Sequence, residues 1–134
     1  SIIISISAVI ESQIAQLENE VEKKEFLDSL DWNSSGLDRI IKSSYSKLNL
    51  ITYFTAGEKE TRAWTIKKNS TAPDASAVIH TDFKKGFICA ETTSYEDYIK
   101  YGGSKGAKEN GKTRQEGKEY LIKDGDVVHF LFNV

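Results

Sequence analysis

The spacing of apolar residues changes near Leu50, and this change limits what the chain can fold into. Before Leu50 the apolar residues recur every three or four positions, as in an amphipathic helix. After it they alternate in short runs separated by Gly, Pro and Asp, as in strands joined by turns. The chain has 134 residues, 39% of them hydrophobic, which suffices for one domain with an attached helical segment. We therefore expect a division into residues 1–49 and 50–134.

Residues 1–49 are predicted to form one strand and two helices. Ser1–Ser7 is rich in β-branched isoleucine and nearly all apolar, which is typical of a strand buried in a sheet. Such a strand could join the downstream sheet, pair with a second copy in a strand-mediated dimer, pack against the helices or stay disordered. The first helix is predicted from Ala8 to Leu30, with a break near Lys24. The second is predicted to begin after the N-cap Ser35.

Residues 50–134 are predicted to form a mixed sheet with helices on one face. The pattern indicates an α+β fold of the ubiquitin-like β-grasp type, preceded by the N-terminal strand and the two-helix segment. The predicted elements are a hairpin LITYFT–AGEKE–TRAWTI, a helix over 74–79, a strand over 87–93, a helix over 95–101, a Gly- and Lys-rich loop over 102–117, a strand KEYLI, a turn at Asp124-Gly125 and a strand VVHFLFN.

The sequence lacks the motifs of self-sufficient enzymes. It has no GxxxxGK[ST], CxxC or HExxH motif. Two histidines and one cysteine argue against a zinc site, and the single cysteine fits a reducing cytosol. His80 and Asp82 are the one candidate acid/base pair, but Asp82 is better suited to brace a turn. We expect Cys89 to be packed and not reactive, and His129 to be a partly exposed strand residue.

Basic residues are concentrated near the C-terminal end, where six of them face only two glutamates within nineteen residues. These six are Lys100, Lys105, Lys108, Lys112, Arg114 and Lys118. Lysines on a glycine-rich loop suit contact with a phosphate backbone, and Tyr98 and Tyr101 could stack on bases. Lys84 and Lys85 form a smaller basic pair. An ordinary solvated surface and a protein partner at the sheet face or edge are the alternatives.

Four blocks of the sequence are similar to a known family: LITYFTAGEKETRAWTIKK, TAPDASAVIHTDFKKGFICAE, YEDYIKYGG and EYLIKDGDVVHFLFNV. They resemble the C-terminal TGS domain of the YchF-type ATPases, within the Obg family of P-loop nucleotide hydrolases. ISISAVIESQIAQL resembles the end of that family's nucleotide-binding domain with its Ser-Ala motif, and SGLDRIIKSSY resembles a connecting helix. The resemblance implies that residues 1–49 end the nucleotide-binding domain and that residues 50–134 are the TGS domain.

The resemblance also implies a function. It points to a cytoplasmic binding module, not itself an enzyme, that docks a ribosome-associated ATPase or GTPase on the ribosome or RNA. Lys84, Lys85 and the basic loop would contact RNA, while Ser7 and Ala8 would contact the nucleotide base in the complete protein. ATP or GTP and Mg would belong to that protein, and we expect no cofactor, metal or membrane partner in this chain. The alternative is a regulatory domain that packs on its own nucleotide-binding domain and gates hydrolysis.

Three positions depart from the family pattern. Asn69 and Ala77 stand where Gly is common, and Cys89 stands where a basic residue is common. Asn tolerates the left-handed conformation that a turn Gly adopts, so we expect the turn at Asn69 to be kept. The loss of a basic residue at position 89 weakens the case for RNA on that strand.

Overall fold

Seven helices and five strands make up the residues that the computed structural model describes, which are residues 1–133. They fall into two units, Ser1–Leu48 and a second unit that begins at Asn49. The last residue of the predicted second domain, Val134, lies outside the described residues. Each unit has its own internal packing.

The first unit contains three helices, each capped at its N-terminus by a side chain. They are α1 (Ala8–Ala15), α2 (Glu20–Ser29) and α3 (Gly36–Lys47). The helix predicted from Ala8 to Leu30 is broken, but at residues 16–19 and not near Lys24, because Asn19 accepts a hydrogen bond from the Glu22 amide and starts a new helix there. The predicted cap of α3 is confirmed, since Ser35 accepts from the Asp38 amide.

Residues 1–7 do not form the predicted strand. An isolated strand needs a neighbour for its backbone groups, and this segment pairs with none of the described strands. It packs on α3 instead: Arg39 donates to the Ser5 carbonyl (3.0 Å), and Ile6 lies against Gly36. Glu11 fixes the same junction by accepting from the Gly36 amide at 2.6 Å. Within this chain, residues 1–7 therefore pack against a helix, which is one of the four alternatives considered.

The second unit is built on a five-stranded mixed sheet in the order β2-β1-β5-β3-β4. The strands are β1 (Leu50–Ala56), β2 (Thr61–Lys67), β3 (Phe87–Thr93), β4 (Arg114–Glu116) and β5 (Val127–Phe132). The central pair β1 and β5 is parallel, and the other pairs are antiparallel. The predicted α+β class is confirmed, and this order is compatible with a β-grasp sheet. The predicted hairpin of β1 and β2 is also confirmed.

The hydrophobic core lies on one face of this sheet, which we call the helix face. Tyr53, Ala90 and Phe130 project from it and are almost fully buried. Helices α4 (Ala72–Ile79) and α5 (Thr81–Lys85) cover it, and the Tyr53 hydroxyl donates to the Ala75 carbonyl at 2.8 Å. Because side chains alternate along a strand, their neighbours Phe54 and Glu91 project from the opposite face.

Two predictions in the C-terminal part of the second unit are wrong. The loop expected over 102–117 contains helix α7 (Ser104–Glu109) and strand β4, and it follows α6 (Tyr95–Lys100). The segment KEYLI, expected as a strand, makes only an isolated bridge from Leu121 to Thr71. Its backbone is satisfied by the α4 connection, where Ala72 donates to Tyr120 (2.8 Å) and Ile122 donates to Ser70 (3.0 Å).

The turn between β2 and α4 keeps the expected geometry. Asn69 has a φ of 67°, as predicted for a residue standing at a position where glycine is common. The Ser70 hydroxyl donates to the Lys67 carbonyl at 2.6 Å and tightens the same turn. Thr71 then caps α4 by accepting from the Asp74 amide, with Pro73 in the first turn.

Candidate nucleic-acid interface

Helices α6 and α7 hold much of the basic segment through a close backbone approach. Ser94 caps α6, and Gly102 and Gly103 reverse the chain with φ values of 72° and 118°. Gly106 of α7 then lies so near Tyr101 that an added Cβ would sit 1.8 Å from the Tyr101 carbonyl oxygen. Glycine at this position is what allows α7 to pack here.

Helix α7 forms one wall of a pocket on the opposite face of the sheet, which we call the α7 pocket. Its volume is about 410 Å³. The sheet contributes Ala56, Glu91, Thr93, Val127, Val128 and His129, while the α7 region contributes Ser104, Lys105, Lys108 and Thr113. Glu91 and His129 lie opposite each other in the β3–β5 pair.

The charges at the α7 pocket are unequal. Lys108 Nζ lies 3.1 Å from Glu91 Oε1, so this carboxylate is neutralised by a neighbouring ammonium. Lys105 makes no ion pair within residues 1–133 and is exposed. One positive charge therefore remains at the pocket rim and is available to an anion.

The eight basic residues predicted from the sequence do not form one surface. Lys84 lies on α5, whose Phe83 stacks on Phe132 at 3.8 Å on the helix face. Lys84 Nζ lies 2.6 Å from Asp74 Oδ1, and this hydrogen bond lowers the pKa of the Asp74 carboxyl. Lys85 is exposed on the same short helix. Lys84 and Lys85 are thus separated by the sheet from Lys105 of the α7 pocket.

The remaining basic residues differ in the contacts that their charged groups make. Arg114 is held on β4 by Glu116 (3.3 Å) and by the Tyr120 hydroxyl (3.3 Å). Lys100 lies over the ring of Tyr101, with its Nζ 5.3 Å from the centroid. Lys112 and Lys118 are exposed and make no ion pair in the described part of the chain.

The tyrosines proposed for stacking are half-buried. Tyr98 packs near Gly103, and Tyr101 is occupied by Lys100 and by the approach of Gly106. Neither ring is therefore fully exposed for stacking on a base.

A buried polar network that sequence reasoning missed supports β4. The Tyr120 hydroxyl donates to Asp126 Oδ2 at 2.7 Å, and the Lys123 amide donates to the same oxygen at 3.0 Å. Asp126 is only 3% exposed. Burial and the hydrogen bond to Asp126 raise the pKa of the Tyr120 hydroxyl. In the sequence, Asp124-Gly125 indicates only a turn, and no local pattern marks the following Asp126 as a buried acceptor.

His80 and Asp82 brace a turn, as predicted, although the roles are exchanged. His80 Nδ1 accepts from the Asp82 amide at 3.2 Å and caps α5. Asp82 was expected to supply the side-chain acceptor. Both side chains are about half exposed. His129 is exposed on β5, as expected, and Cys89 is half-buried on β3.

Ser7 and Ala8 form the start of α1. Ser7 Oγ accepts from the Ile10 amide at 3.4 Å, so the hydroxyl hydrogen is still free to donate. Ala8 is exposed and its amide belongs to the first turn, where amides have no intrahelical acceptor. Both groups fit contact with a polar ligand such as a nucleotide base.

Within residues 1–133, no group of three or more His, Cys, Asp or Glu side chains is placed to hold a metal ion. The helices of the same residues are all too short or too polar to cross a membrane.

Comparison with known proteins assigns relatives along the whole chain. The family model YchF-GTPase_C, described as a protein of unknown function (DUF933), matches residues 50–133. The chain is 57% identical to the ribosome-binding ATPase YchF of Haemophilus influenzae, covering 100% of this chain and 37% of that protein. It is 59% identical to the ribosome-binding ATPase YchF of Bacillus subtilis, covering 98% and 36%. The chain thus spans little more than a third of these relatives.

Solved structures agree with this assignment. The Schizosaccharomyces pombe YchF GTPase matches with a TM-score of 0.77 and 40% identity, over 94% of this chain and 33% of that one. A GTP-binding protein from Pyrococcus horikoshii matches with a TM-score of 0.61 and 22% identity, over 96% and 36%. At that identity the second likeness concerns the fold alone.

Proposed function

Since this chain belongs to the YchF family and corresponds to its C-terminal part, we propose that it is the module that docks a nucleotide hydrolase on the ribosome. Relatives that are more than half identical over nearly the whole chain are named ribosome-binding ATPases. We propose that the contact is with ribosomal RNA and is made by the α7 pocket and the lysines around it.

The observation that carries this proposal is the set of unpaired cations around α7. Of the six basic residues between Lys100 and Lys118, only Lys108 and Arg114 make ion pairs among the described residues. The other four are exposed, two on the short helices α6 and α7 and two in the connecting segments, and phosphates are the anions that such lysines contact in RNA. The chain as a whole has a net charge of −2, so this local excess is not a consequence of its composition.

Salt dependence tests the RNA contact directly. Three to four phosphate contacts to unpaired RNA predict that affinity falls about 20- to 50-fold between ~50 and ~200 mM salt. The measurement is cosedimentation of the 134-residue chain with bacterial ribosomes across that range. An affinity that changes less than about twofold would remove the phosphate contact from the account.

The proposal extends to the complete protein. We propose that it hydrolyses ATP or GTP with Mg in the cytoplasm and that residues 1–49 end its nucleotide-binding domain, with residues 50–134 as a TGS domain. Ser7 and Ala8 would then contact the base, as the free hydroxyl hydrogen and first-turn amide permit. No residue of this chain is assigned to the phosphates or the metal.

A second candidate function is regulation of hydrolysis through contact with the nucleotide-binding domain. The observation in its favour is the exposed apolar surface of α3, where Leu37 is 59% and Ile41 is 46% exposed. Adding the 134-residue chain to a separately produced nucleotide-binding domain tests it. A change in turnover supports gating, and unchanged turnover at saturating concentration rejects it.

A further inference from the structure

The α7 pocket lies next to the end of β1. β1 and β5 share a single registered pair, Phe54 with Val127, and β1 ends two residues later at Ala56. β5 continues to Phe132. The space beyond the end of β1 is floored by the small side chains of Ala56 and Val127 and walled by α7.

The pocket has the size and composition of a site for one small planar group. Its volume of about 410 Å³ falls in the range of roughly 300–1,000 Å³ that is usual for small-molecule sites. The floor is aliphatic and the walls are polar, because Thr93 and Thr113 point their hydroxyls at each other 3.0 Å apart. Two hydroxyls that share one hydrogen leave a second hydrogen and further lone pairs for a ligand.

The polar groups at the rim suit the edge of a nucleobase. Glu91 is an acceptor for amino and imino hydrogens, and His129 next to it offers both a donor and an acceptor. Lys108 holds Glu91 in place at 3.1 Å. Bases are recognised in this way only when they are unpaired, since pairing occupies the same edge.

The charge at the rim determines which kind of nucleotide fits. Lys108 and Glu91 cancel, which leaves the single ammonium of Lys105. One positive charge matches one phosphodiester, whereas the three or more negative charges of a nucleoside triphosphate would stay uncompensated. This favours a nucleotide within a strand over a free triphosphate.

We propose that the α7 pocket binds a single unpaired nucleotide of an RNA strand, with the base on Ala56 and Val127 and its phosphate on Lys105. This inference rests on the proposed ribosome docking and states which form of RNA the docking selects. Docking would then require an RNA element in which at least one nucleotide is unpaired.

Binding of short RNA tests the pocket. The probes are a fluorescein-labelled single-stranded ribohexamer, the same sequence in a hairpin stem, and ATP without magnesium. In fluorescence anisotropy, we expect the single strand to bind with higher affinity than the hairpin stem or ATP. In wild-type protein the methyl signals of Val127 and Thr113 should shift on adding the hexamer. Equal affinity for stem and single strand, or unmoved methyl signals, would overturn the proposal.

Matched variants separate the pocket from general charge. Ala56→Leu fills the floor and is expected to weaken hexamer binding about tenfold or more, whereas Ala63→Leu, at an exposed alanine of β2, is the control. Lys105→Gln should reduce the slope of log affinity against log salt concentration by about 0.7, and Lys67→Gln is the control. Thr113→Val removes a hydroxyl at nearly constant volume and serves if Ala56→Leu does not fold.

The ribosome assay distinguishes the two proposals. If wild type and Ala56→Leu cosediment equally with ribosomes, the pocket proposal fails and docking stands. If wild type does not cosediment at all, docking itself fails. Loss of both hexamer and ribosome binding in a folded Ala56→Leu, with Ala63→Leu unaffected, supports the pocket.

Discussion

The packing of Gly106 on Tyr101 predicts that a side chain added at position 106 displaces α7 and destabilises the fold. In Gly106→Ala the new Cβ would lie 1.8 Å from the Tyr101 carbonyl oxygen and 2.9 Å from its carbon. Real Cβ atoms essentially never approach another heavy atom closer than 3.0 Å, so α7 must move by more than about 1 Å. The obstacle is backbone and cannot rotate away. Overpacking of this kind costs about 1–3 kcal/mol.

An opposing effect must be subtracted to obtain the net change. Replacing Gly by Ala inside a helix stabilises it by up to about 1 kcal/mol. Because the clash is with backbone atoms, we take the upper part of the overpacking range, about 2–3 kcal/mol. The expected net loss is then roughly 1–2 kcal/mol, or a drop in Tm of about 5–15 °C for a unit of this size. Displacement of α7 also moves Lys108 away from Glu91, so the hexamer and ribosome affinities should fall with stability.

Thermal unfolding followed by circular dichroism measures this effect, and Gly117→Ala is the matched control. Gly117 has an ordinary φ, and an added Cβ there meets nothing within 4 Å. We expect Gly117→Ala to melt at or slightly above the wild-type temperature. If Gly106→Ala melts with the wild type, the close approach does not determine the position of α7 and the reasoning is wrong.

Three further predictions concern the polar network and the first unit. Tyr120→Phe leaves buried Asp126 with one fewer donor and should cost about 1–3 kcal/mol of unfolding free energy, measured by urea titration; an unchanged midpoint would contradict the network. Burial raises the pKa of the Tyr120 hydroxyl in the folded chain. The hydroxyl therefore contributes its full stabilisation below about pH 10, the pKa of a tyrosine in the unfolded chain. Above that pH the stabilisation is lost, because the unfolded chain releases a proton that the folded chain retains. Urea titrations between about pH 9 and 11 should show this alkaline decline and a shallower one in Tyr120→Phe; equal slopes would reject it. Glu11→Ala removes the acceptor of the Gly36 amide and should raise hydrogen exchange at that amide about fivefold or more, and unchanged protection would show that Glu11 is not its cap.

Local signals in the sequence were sufficient for most elements. Short-range patterns predict three of them: the cap Ser35, the hairpin with Gly57 and the helix that begins near Pro73. Each depends on residues within a few positions of one another, so the sequence alone indicates it. Helix α7 was missed because glycine lowers helix propensity, while its formation depends on the contact between Gly106 and Tyr101.

The candidate site was only partly predictable for the same reason. The basic residues are visible in the sequence, but their separation arises because α5 and α7 pack on opposite faces of the sheet, which is a tertiary property. The pocket depends on where β1 ends relative to β5, which no local pattern encodes. The strand expected over Ser1–Ser7 had the right composition but has no partner strand among the described residues.

The central claim is that cations beside α7 attach this chain to the ribosome, and charge reversal tests it most directly. The variant Lys105→Glu/Lys112→Glu is compared with Lys67→Glu/Lys68→Glu, which makes the same charge change at the far end of β2. In cosedimentation with bacterial ribosomes at about 0.1 M salt, we predict a loss of at least tenfold in affinity for the first variant and near wild-type binding for the second. If the two variants bind alike and as well as the wild type, the chain does not dock through α7.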